Sequence, residues 1–427
     1  MTWWSLRGWG LMAMQLHDHS MVVAVDVGTT KVCVLIAELT NNRISQVIGI
    51  GRAPSDGLRR GVVVDIAKTV QSLKTAVAEA ELMAGCRVSQ VCVGISGAHI
   101  GALHSTGAVP LKAGLVRQRD IDDALAAARA VPLEHGQQIL HVIPQFFILD
   151  GRDHVQDPLG MHGVKLEVAV HIVTGAVSSV QNLVSCCQMV GTGVEEVILE
   201  QLASAYAVLT GDERELGVGV LDIGGGTSDF AVYQQGAIRH TSVIPIAGAM
   251  VTSDIAIGLR LTLKDAERLK CQYASVLTDD LASDQLIEIE RADGHREYIK
   301  CADMRAIVDA RIDELLAILA ETIMRNNLRE RMPAGLVITG GGSLLRGLAL
   351  RAQEVLHMPV RCGGPRPEGL APESLLSPMY ATAYGMLCYA VHARAQSHAT
   401  VEGPLLSRIV THMKSWVSDL MGQWEGV

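Results

Sequence analysis

A turn built from an aspartate, glycines and threonines occurs twice in the chain, each time between two apolar segments. The first copy is Asp26-Val-Gly-Thr-Thr-Lys31 and the second is Asp222-Ile-Gly-Gly-Gly-Thr227. The apolar, β-branched flanks predict that each turn joins the two strands of a hairpin. The two aspartates lie 196 residues apart (222 minus 26). A repeat at this distance predicts two related lobes that face a cleft.

The composition of the turns indicates phosphate binding. Glycine lets backbone N–H groups approach a ligand closely because it has no Cβ. The hydroxyls of Thr29, Thr30 and Thr227 can add hydrogen bonds, and Lys31 can neutralise phosphate charge. Asp26, like its counterpart in the second turn, can hold hydrated Mg²⁺, which binds few carboxylates and keeps several waters.

The alternative for either turn is a plain hairpin, since Asp-Gly and Gly-Gly are common at such positions. For one turn alone this alternative would be preferred. Two turns, each between buried strands in a separate lobe, favour the phosphate-binding interpretation.

A third glycine segment, Gly340-Gly341-Gly342-Ser343, follows an apolar strand and enters a helix. Bare backbone at a helix start can contact an adenine ring or a phosphate. The alternative is a tight strand-to-helix turn, which would be roughly as likely if the segment stood alone. The segment is not a P-loop, because no Gly-Lys-Ser/Thr follows it.

The overall composition excludes several classes of protein. The 427 residues are 49% hydrophobic and 19% charged, which predicts a globular chain of more than one domain. A net charge of −9 argues against a nucleic-acid-binding protein, which needs a basic face. No window approaches the roughly 18 uncharged apolar residues of a spanning helix. The nine cysteines contain no CxxC pair, which is typical of a reducing compartment without a zinc site.

The three glycine segments resemble the phosphate 1, phosphate 2 and adenosine motifs of the actin-like ATPases. Over about residues 21–424 the chain further resembles the FtsA family of bacterial cell-division actins. The segments that carry this closer resemblance are Ser96-Gly-Ala-His-Ile100, His141-Val-Ile-Pro-Gln145, Leu202-Ala-Ser-Ala-Tyr206, Asp212-Glu-Arg-Glu-Leu-Gly217, Val243-Ile-Pro245 and Thr252-Ser-Asp-Ile255. The resemblance implies an α/β, actin-like ATPase fold. Its expected parts are two lobes of duplicated βββαβα topology around a nucleotide cleft, an inserted small α/β subdomain and a C-terminal amphipathic helix.

The chain is expected to divide into seven parts. Residues 1–20, with Trp3, Trp4 and Trp9, form a loose extension. In the nomenclature of the family, the other parts are subdomain 1A at 21–97 and 177–217, inserted subdomain 1C at 98–176, subdomain 2A at 218–244 and 331–391, subdomain 2B at 245–330, a linker at 392–403, and the terminal helix at 404–424.

The resemblance also implies an ATP site with Mg²⁺. The residues expected at phosphate are Gly28, Thr29, Thr30, Lys31, Gly224, Gly225, Gly226 and Thr227, with Gly340, Gly341 and Gly342 beside the adenosine. Glu267 and Lys270 match a helix that holds ribose in chaperone ATPases; the alternative is an exposed helical charge pair.

Glu200 lies where related actins keep the glutamate that orients the attacking water. With Asp26 and Asp222 it completes the candidate catalytic set. Relatives usually have proline after this glutamate, whereas this chain has Gln201. The family is thought to use ATP mainly to set conformation and polymerisation, with weak turnover, so enzymatic activity stays uncertain.

The terminal segment 404–424 has an apolar stripe with three- and four-residue spacing. Its members are Leu405, Leu406, Ile409, Val410, Met413, Trp416, Val417, Leu420, Met421 and Trp424. Such a stripe more often packs into a core. Its position after a linker and its two tryptophans instead favour a helix that lies in the interface of an anionic membrane. Arg408 and Lys414 on the other face can meet anionic headgroups.

By resemblance, the chain is expected to tether FtsZ filaments to the cytoplasmic face of the inner membrane at the division septum. Subdomain 2B would bind the C-terminal tail of FtsZ, and subdomain 1C would contact neighbouring protomers and later division proteins. One alternative is a small-molecule kinase or phosphatase of the same fold, although no further acid aimed at a substrate is evident. Another is a pilus-assembly actin-like ATPase, which would lack the terminal helix.

Overall fold

Three antiparallel strands, a helix and a parallel strand open the structure. The computed structural model describes residues 21–112, 114–277, 285–291 and 294–398. Its first elements are β1 (Met21–Val27), β2 (Lys31–Thr40), β3 (Arg43–Pro54), β4 (Leu58–Arg59), β5 (Val62–Val63), α1 (Ile66–Ala84) and β6 (Gln90–Ile95). β1 pairs with β2 so that Asp26 lies opposite Cys33. This confirms the hairpin predicted around the first glycine turn.

Helix α1 begins and ends as its sequence predicts. The Asp65 carboxylate accepts a hydrogen bond from the amide of Lys68 at 3.0 Å, which caps the first turn. Gly85 ends the helix in the left-handed region at φ 68°. Leu73 and Val77 lie on the buried face and pack against the sheet.

An antiparallel sheet with its own core follows as an insertion. Its elements are β7 (Gly101–Pro110), α2 (Gln118–Arg129), β8 (Gln137–Leu149), β9 (Arg152–Val155) and β10 (Lys165–Ala176). The strand order is β7-β10-β8-β9, and α2 covers one face. Gly107 lets the helix approach, because a Cβ there would lie 1.9 Å from the carbonyl oxygen of Ala124. The small α/β insertion expected from the resemblance is confirmed.

The chain then completes the first sheet and starts the second. The elements are α3 (Val177–Met189), β11 (Gly193–Leu199), α4 (Glu200–Val208), α5 (Gly211–Leu216), β12 (Val218–Ile223), β13 (Ser228–Gln234) and β14 (Ala237–Ile244). β12 and β13 pair antiparallel, with Asp222 opposite Asp229. The second predicted hairpin is therefore present.

The remaining elements are mainly helical. They are α6 (Gly248–Leu259), α7 (Leu263–Tyr273), β15 (Leu286–Glu290), β16 (Arg296–Lys300), α8 (Cys301–Arg325), β17 (Leu336–Thr339), α9 (Leu348–Leu356), β18 (Val360–Cys362) and α10 (Ala381–His398). The third glycine segment forms a short 3-10 turn, Gly341–Leu344, between β17 and α9. α6, α7 and α8 share one core with the second sheet.

The two large sheets have the same topology. The first has the order β11-β6-β1-β2-β3, and the second, read from its other edge, is β18-β17-β12-β13-β14. In each sheet, three antiparallel strands continue into two parallel ones. This equivalence confirms the duplicated lobes predicted from the repeated turn.

Helices α4 and α10 lie side by side in the core that both sheets share. A Cβ on Gly385 of α10 would lie 1.8 Å from the carbonyl oxygen of Ala203 of α4, so glycine is what permits this contact. α10 also packs on β1, β2 and β6. Residues 381–391 were assigned to the second lobe, and this assignment is wrong because their buried side chains contact the first.

The predicted linker also begins too early. Residues 392–398 continue α10, since Ala393 is buried and Arg394 forms an ion pair with Glu195. The extension 1–20, the rest of the linker and the apolar stripe of 404–424 lie outside the described residues. Within the described ranges, none of the helices combines the length and the apolar character needed to cross a bilayer.

Candidate functional site

The two hairpin turns lie against each other between the lobes. A Cβ on Gly225 would lie 2.4 Å from Cγ2 of Thr30, and a Cβ on Gly226 would lie 2.2 Å from Oγ1 of Thr29. These distances are too short for any side chain, so only glycine permits the approach. The structure therefore brings the first and second predicted phosphate loops together.

The third glycine segment lies on the second turn. Gly340 has a φ of 81°, and a Cβ there would lie 2.2 Å from Oδ1 of Asp222. A Cβ on Gly342 would lie 2.3 Å from Cγ2 of Ile223, whereas Gly341 has more space. All three predicted motifs thus border one cleft.

The two hairpin turns leave backbone donors at their tips. Each turn is closed by one hydrogen bond, from the amide of Gly28 to the carbonyl of Lys31 at 3.0 Å and from the amide of Gly224 to that of Thr227 at 2.9 Å. Within the described part of the chain, no protein group accepts a hydrogen bond from the tip amides. These are the amides of Thr29, Thr30, Gly225 and Gly226. Such N–H groups are the donors that an anion such as phosphate requires.

Asp26 and Asp222 occupy equivalent positions at the ends of β1 and β12, and each is only 6% exposed. Burial is the main cause that raises the pKa of Asp26, and the charge of Asp222 raises it further against the opposing effect of Lys31. Burial also raises the pKa of Asp222, although hydrogen bonds from Ser204 and Thr382 oppose this. Two buried carboxylates that disfavour each other's charge fit a divalent cation, which would stabilise both in their ionised form.

Asp229 is a third buried carboxylate, and sequence analysis missed it. It accepts hydrogen bonds from Gln201 Nε2 at 2.8 Å, from Thr227 Oγ1 at 3.1 Å and from the hydroxyl of Ser96. Burial and neighbouring carboxylates outweigh these bonds and raise the pKa of Asp229 to about 7. The available signal was a charged residue directly before the apolar stretch 230–233 of the strand that follows the second turn.

Glu200 begins α4 and joins the same acidic group. Its Cγ lies 3.3 Å from the position of a Cβ on Gly94. Burial, then the charges of Asp26, Asp229 and Asp222, raise the pKa of Glu200 well above its ordinary value. The structure brings Glu200 to the cleft as predicted, while its role towards water stays a prediction.

Gln201, which stands where the resemblance led us to expect proline, has a defined place in the structure. Its side chain is buried, and its amide donates the hydrogen bond to Asp229 described above. The glutamine therefore links α4 of the first lobe to β13 of the second.

Lys31 contacts both lobes. Its ammonium lies 3.9 Å from the carboxylate of Asp26, donates to the carbonyl of Met379 and lies 5.0 Å from the ring centroid of Tyr380. Met379 and Tyr380 were not predicted, because they are distant in sequence from every glycine motif.

Glu267 and Lys270 lie behind the second turn. Lys270 Nζ contacts Glu267 Oε2 at 2.7 Å and donates to the carbonyl of Gly248 at 3.0 Å. The amide of Gly248 in turn donates to the carbonyl of Gly224 at 3.1 Å. The pair therefore braces the second turn and is not simply an exposed helical pair. Its contact with ribose stays a prediction.

Comparison with known proteins identifies the family of the chain. A family model described as cell division protein FtsA matches residues 219–385, and one described as an SHS2 domain inserted in FtsA matches residues 97–174. The cell division protein FtsA of Pseudomonas aeruginosa is 42% identical over 411 residues, which are 94% of this chain and 98% of that protein.

Solved structures show the same fold at low sequence identity. A PilM–PilN type IV pilus biogenesis complex aligns at a TM-score of 0.64 and 18% identity, covering 87% of this chain and 98% of the other. MreB5 of Spiroplasma citri bound to ADP aligns at a TM-score of 0.55 and 14% identity, covering 90% and 99%. The fold is actin-like, and the similarity over nearly the whole length of a curated relative shows that this chain belongs to the FtsA family of cell division proteins.

Proposed function

We propose that the cleft binds ATP with Mg²⁺. One observation carries this proposal: two equivalent hairpin turns from the two lobes meet tip to tip, with unused amide donors above a buried pair of aspartates. The amides of the tips and Lys31 would hold the phosphates, and Asp26 and Asp222 would hold the hydrated metal. The nucleotide would supply the phosphates and share the metal with the two aspartates, while the protein would supply the donors and carboxylates that position them.

Because the tips are already in contact, a phosphate chain between them requires the lobes to separate. The nucleotide would therefore act on the angle between the lobes. This supports a role in conformation and self-assembly more than in rapid hydrolysis. The raised pKa of Glu200 is in line with this, since burial disfavours the ionised form in which a carboxylate acts as a general base.

Titration with a fluorescent ATP analogue in the presence of Mg²⁺ tests the proposal. Lys31→Gln and Asp222→Asn should each weaken binding about tenfold or more, since the first removes a positive charge that would face the phosphates and the second removes a carboxylate that would hold the metal. Lys74→Gln, on the exposed face of α1, is the matched control and should bind as the unmodified chain does. Absence of saturable binding by the folded, full-length chain would refute the nucleotide site.

We also propose that the chain tethers FtsZ filaments to the inner face of the cytoplasmic membrane at the septum, and that it recruits later division proteins. Its membership of the FtsA family supports this proposal, as does the apolar stripe of 404–424 in the sequence. Burial of ten apolar side chains at a lipid surface should outweigh the contribution of two basic residues, at about 1 kcal/mol each.

Liposome sedimentation tests the membrane contact. The full chain should pellet with vesicles that contain anionic lipid. A chain without residues 404–427, or with Trp416→Glu and Val417→Glu, should stay in the supernatant and still bind nucleotide. Ser407→Glu and Ser418→Glu on the polar face add the same charge, and this control should retain much more binding. Pelleting of the shortened chain would contradict the tether.

Binding of a peptide with the C-terminal sequence of FtsZ tests the partner. The segment 245–330 exposes Ile257 and Leu263, which are 78% and 63% exposed, on α6 and α7. If this face contributes to the FtsZ site, Ile257→Ser with Leu263→Ser should weaken binding about tenfold. Leu350→Ser on α9, which is 59% exposed, is the control. Failure of the unmodified chain to bind the peptide would favour a function other than FtsZ tethering.

A further inference from the structure

The short hairpin loop between β4 and β5 lies at the tips of both glycine turns. The two strands pair so that Arg60 and Gly61 form a two-residue loop. The amide of Gly61 donates to Oγ1 of Thr29 in the first turn at 3.1 Å. The Cα of Arg60 lies 3.0 Å from the position of a Cβ on Gly226 in the second turn. The β4–β5 loop, which belongs to the first lobe, therefore reaches the second lobe at the predicted phosphate site.

The end of β6 fixes the backbone of this loop. A Cβ on Gly61 would lie 2.8 Å from the carbonyl oxygen of Ser96, so only glycine fits there. The hydroxyl of Ser96 donates in turn to Asp229 of the second lobe. The carbonyl oxygen of Arg60 lies 3.1 Å from the position of a Cβ on Gly97. The backbone of Arg60 is thus held at the boundary between the lobes, while the residue as a whole is exposed.

The backbone of the β4–β5 loop does not itself call for an arginine. Arg60 and Gly61 both have positive φ, 50° and 77°. Two-residue hairpin loops of this kind favour asparagine, aspartate or glycine. The β2–β3 and β8–β9 loops follow this preference with Asn41-Asn42 and Asp150-Gly151. Asparagine would therefore suit position 60 better than arginine does, so the reason for the arginine lies in its side chain.

The guanidinium of Arg60 is available to an anion in the cleft. Within the described ranges it has no carboxylate within ion-pair distance. Lys31 of the first turn is already engaged, since it lies 3.9 Å from Asp26 and donates to the carbonyl of Met379. An extended arginine side chain reaches roughly 6 Å from its Cα. The guanidinium can therefore reach an anion bound by the amide of Gly226, and its planar fork matches phosphate oxygens.

The order of contacts along the second turn indicates which phosphate Arg60 would meet. Gly340, from the segment expected beside the adenosine, contacts Asp222 at the start of the turn. Arg60 contacts Gly226 towards the other end of the same turn. A nucleotide with its base near Gly340 would extend its phosphates away from that contact. Its last phosphate would then lie on the side of Arg60.

We propose that Arg60 binds the terminal phosphate of the nucleotide and makes the cleft distinguish a triphosphate from a diphosphate. The proposal rests on the nucleotide site proposed above and assigns its specificity. Two N–H groups of the guanidinium would donate to oxygens of the last phosphate. This contact would link the β4–β5 loop of the first lobe to a phosphate held by the Gly226 amide of the second. A diphosphate would leave the link unmade.

Isothermal titration of the full-length chain with Mg²⁺ and either ADP or AMPPNP, a non-hydrolysable triphosphate analogue, tests this proposal. Arg60→Asn removes the guanidinium and introduces a residue that suits the loop. It should weaken AMPPNP binding about tenfold or more and ADP binding less than threefold. Arg43→Gln, exposed at the opposite end of β3 from the turns, is the control for the loss of one positive charge. It should leave both affinities unchanged.

Two further variants separate the side chain from the fold of the loop. Arg60→Lys should keep part of the triphosphate preference, because it retains the charge without the fork. Arg60→Gln should lose the preference as Arg60→Asn does, and Gln235 takes the equivalent place in the β13–β14 loop. Urea denaturation should show Arg60→Asn to be at least as stable as the unmodified chain. If it is less stable, Arg60→Gln decides.

The proposal is overturned if the folded variants bind AMPPNP as the unmodified chain does, or if they lose affinity for both nucleotides equally. Either result would leave the nucleotide site itself intact. Absence of binding of both nucleotides to the unmodified chain would instead refute that site, and the role of Arg60 with it.

Discussion

Besides the core that both sheets share, the lobes meet at two polar junctions whose chemistry is opposite. The front junction consists of the glycine turns with Asp26, Asp222, Asp229 and Glu200. The rear junction consists of His104 and His171 of the insertion with Arg239 and His240 of β14. There, His171 Nε2 lies 2.9 Å from Thr241 Oγ1, and the His104 and His171 ring centroids are 5.1 Å apart. The front junction is crowded with acids and the rear junction with bases.

Burial favours the uncharged form of the titratable groups at both junctions. It raises the pKa of the acids in front, and it lowers the pKa of His171 to about 3 and that of His240 to about 4. The histidines of the rear junction can stay neutral at physiological pH, because their pKa values lie below it, and Arg239 is the one member of that junction that keeps its charge. The front junction cannot do so completely, since several carboxylates share one site, and this makes it the place where a cation would contribute most.

The largest expected difference between the junctions is steric. Gly340 in front, and Gly236 in the turn that leads into β14 of the rear junction, both have positive φ, 81° and 71°. A Cβ on Gly340 would collide with Asp222 at 2.2 Å, whereas the nearest atom to one on Gly236 is 3.7 Å away. We expect Gly340→Ala to lower the free energy of unfolding by about 3 kcal/mol and Gly236→Ala by about 1 kcal/mol. Urea denaturation of both variants measures this, and equal losses would show that the front packing is not tight.

The next effect is the pH dependence of the front junction. Asp229 in the folded chain has a pKa of about 7, above the ordinary 3.8, so the folded state holds the extra proton. The stability that protonated Asp229 contributes to the folded state is therefore fully present below about pH 4 and is lost as the pH rises towards 7. The change in the free energy of unfolding that Asp229→Asn causes should therefore be about 2 kcal/mol more stabilising at pH 8 than at pH 5.

Exposed Asp56→Asn is the control for that measurement and should show no such pH dependence. If Asp229→Asn destabilises the chain equally at pH 5 and pH 8, the aspartate is ionised in the folded state at both values. The front junction would then be less crowded with charge than its geometry indicates.

The smallest effect has the opposite sign and belongs to the rear junction. The pKa of His171 lies below its ordinary 6.5, so the unfolded chain binds the proton first and stability is lost as pH falls below 6.5. His171→Asn should remove about 1 kcal/mol of the loss between pH 7.5 and pH 5. Thermal unfolding at both pH values checks this, with exposed His135→Asn as the control. An unchanged pH response would mean that protonated His171 is tolerated in place.

Local repeats made much of this fold predictable, and tertiary contacts explain what was missed. Asp26 and Asp222 were found because each stands next to its own glycine turn. Ser204 and Thr382, which hold Asp222, come from two helices that no local pattern connects to it. The place of α10 was wrong for the same reason, since its chain neighbours are in the second lobe but its buried face contacts the first.

The close contact of Gly385 with Ala203 packs α4 and α10 tightly against each other between the sheets, so we expect the two helices to move together. Ser204 of α4 and Thr382 of α10 both donate hydrogen bonds to Asp222. Further along the same two helices, the rings of Tyr206 and Tyr389 pack against each other. The helix pair α4 and α10 can change its tilt between the sheets, but its length is fixed by its backbone hydrogen bonds. We therefore expect a movement of the lobes that reorients Asp222 to shift those two rings as well.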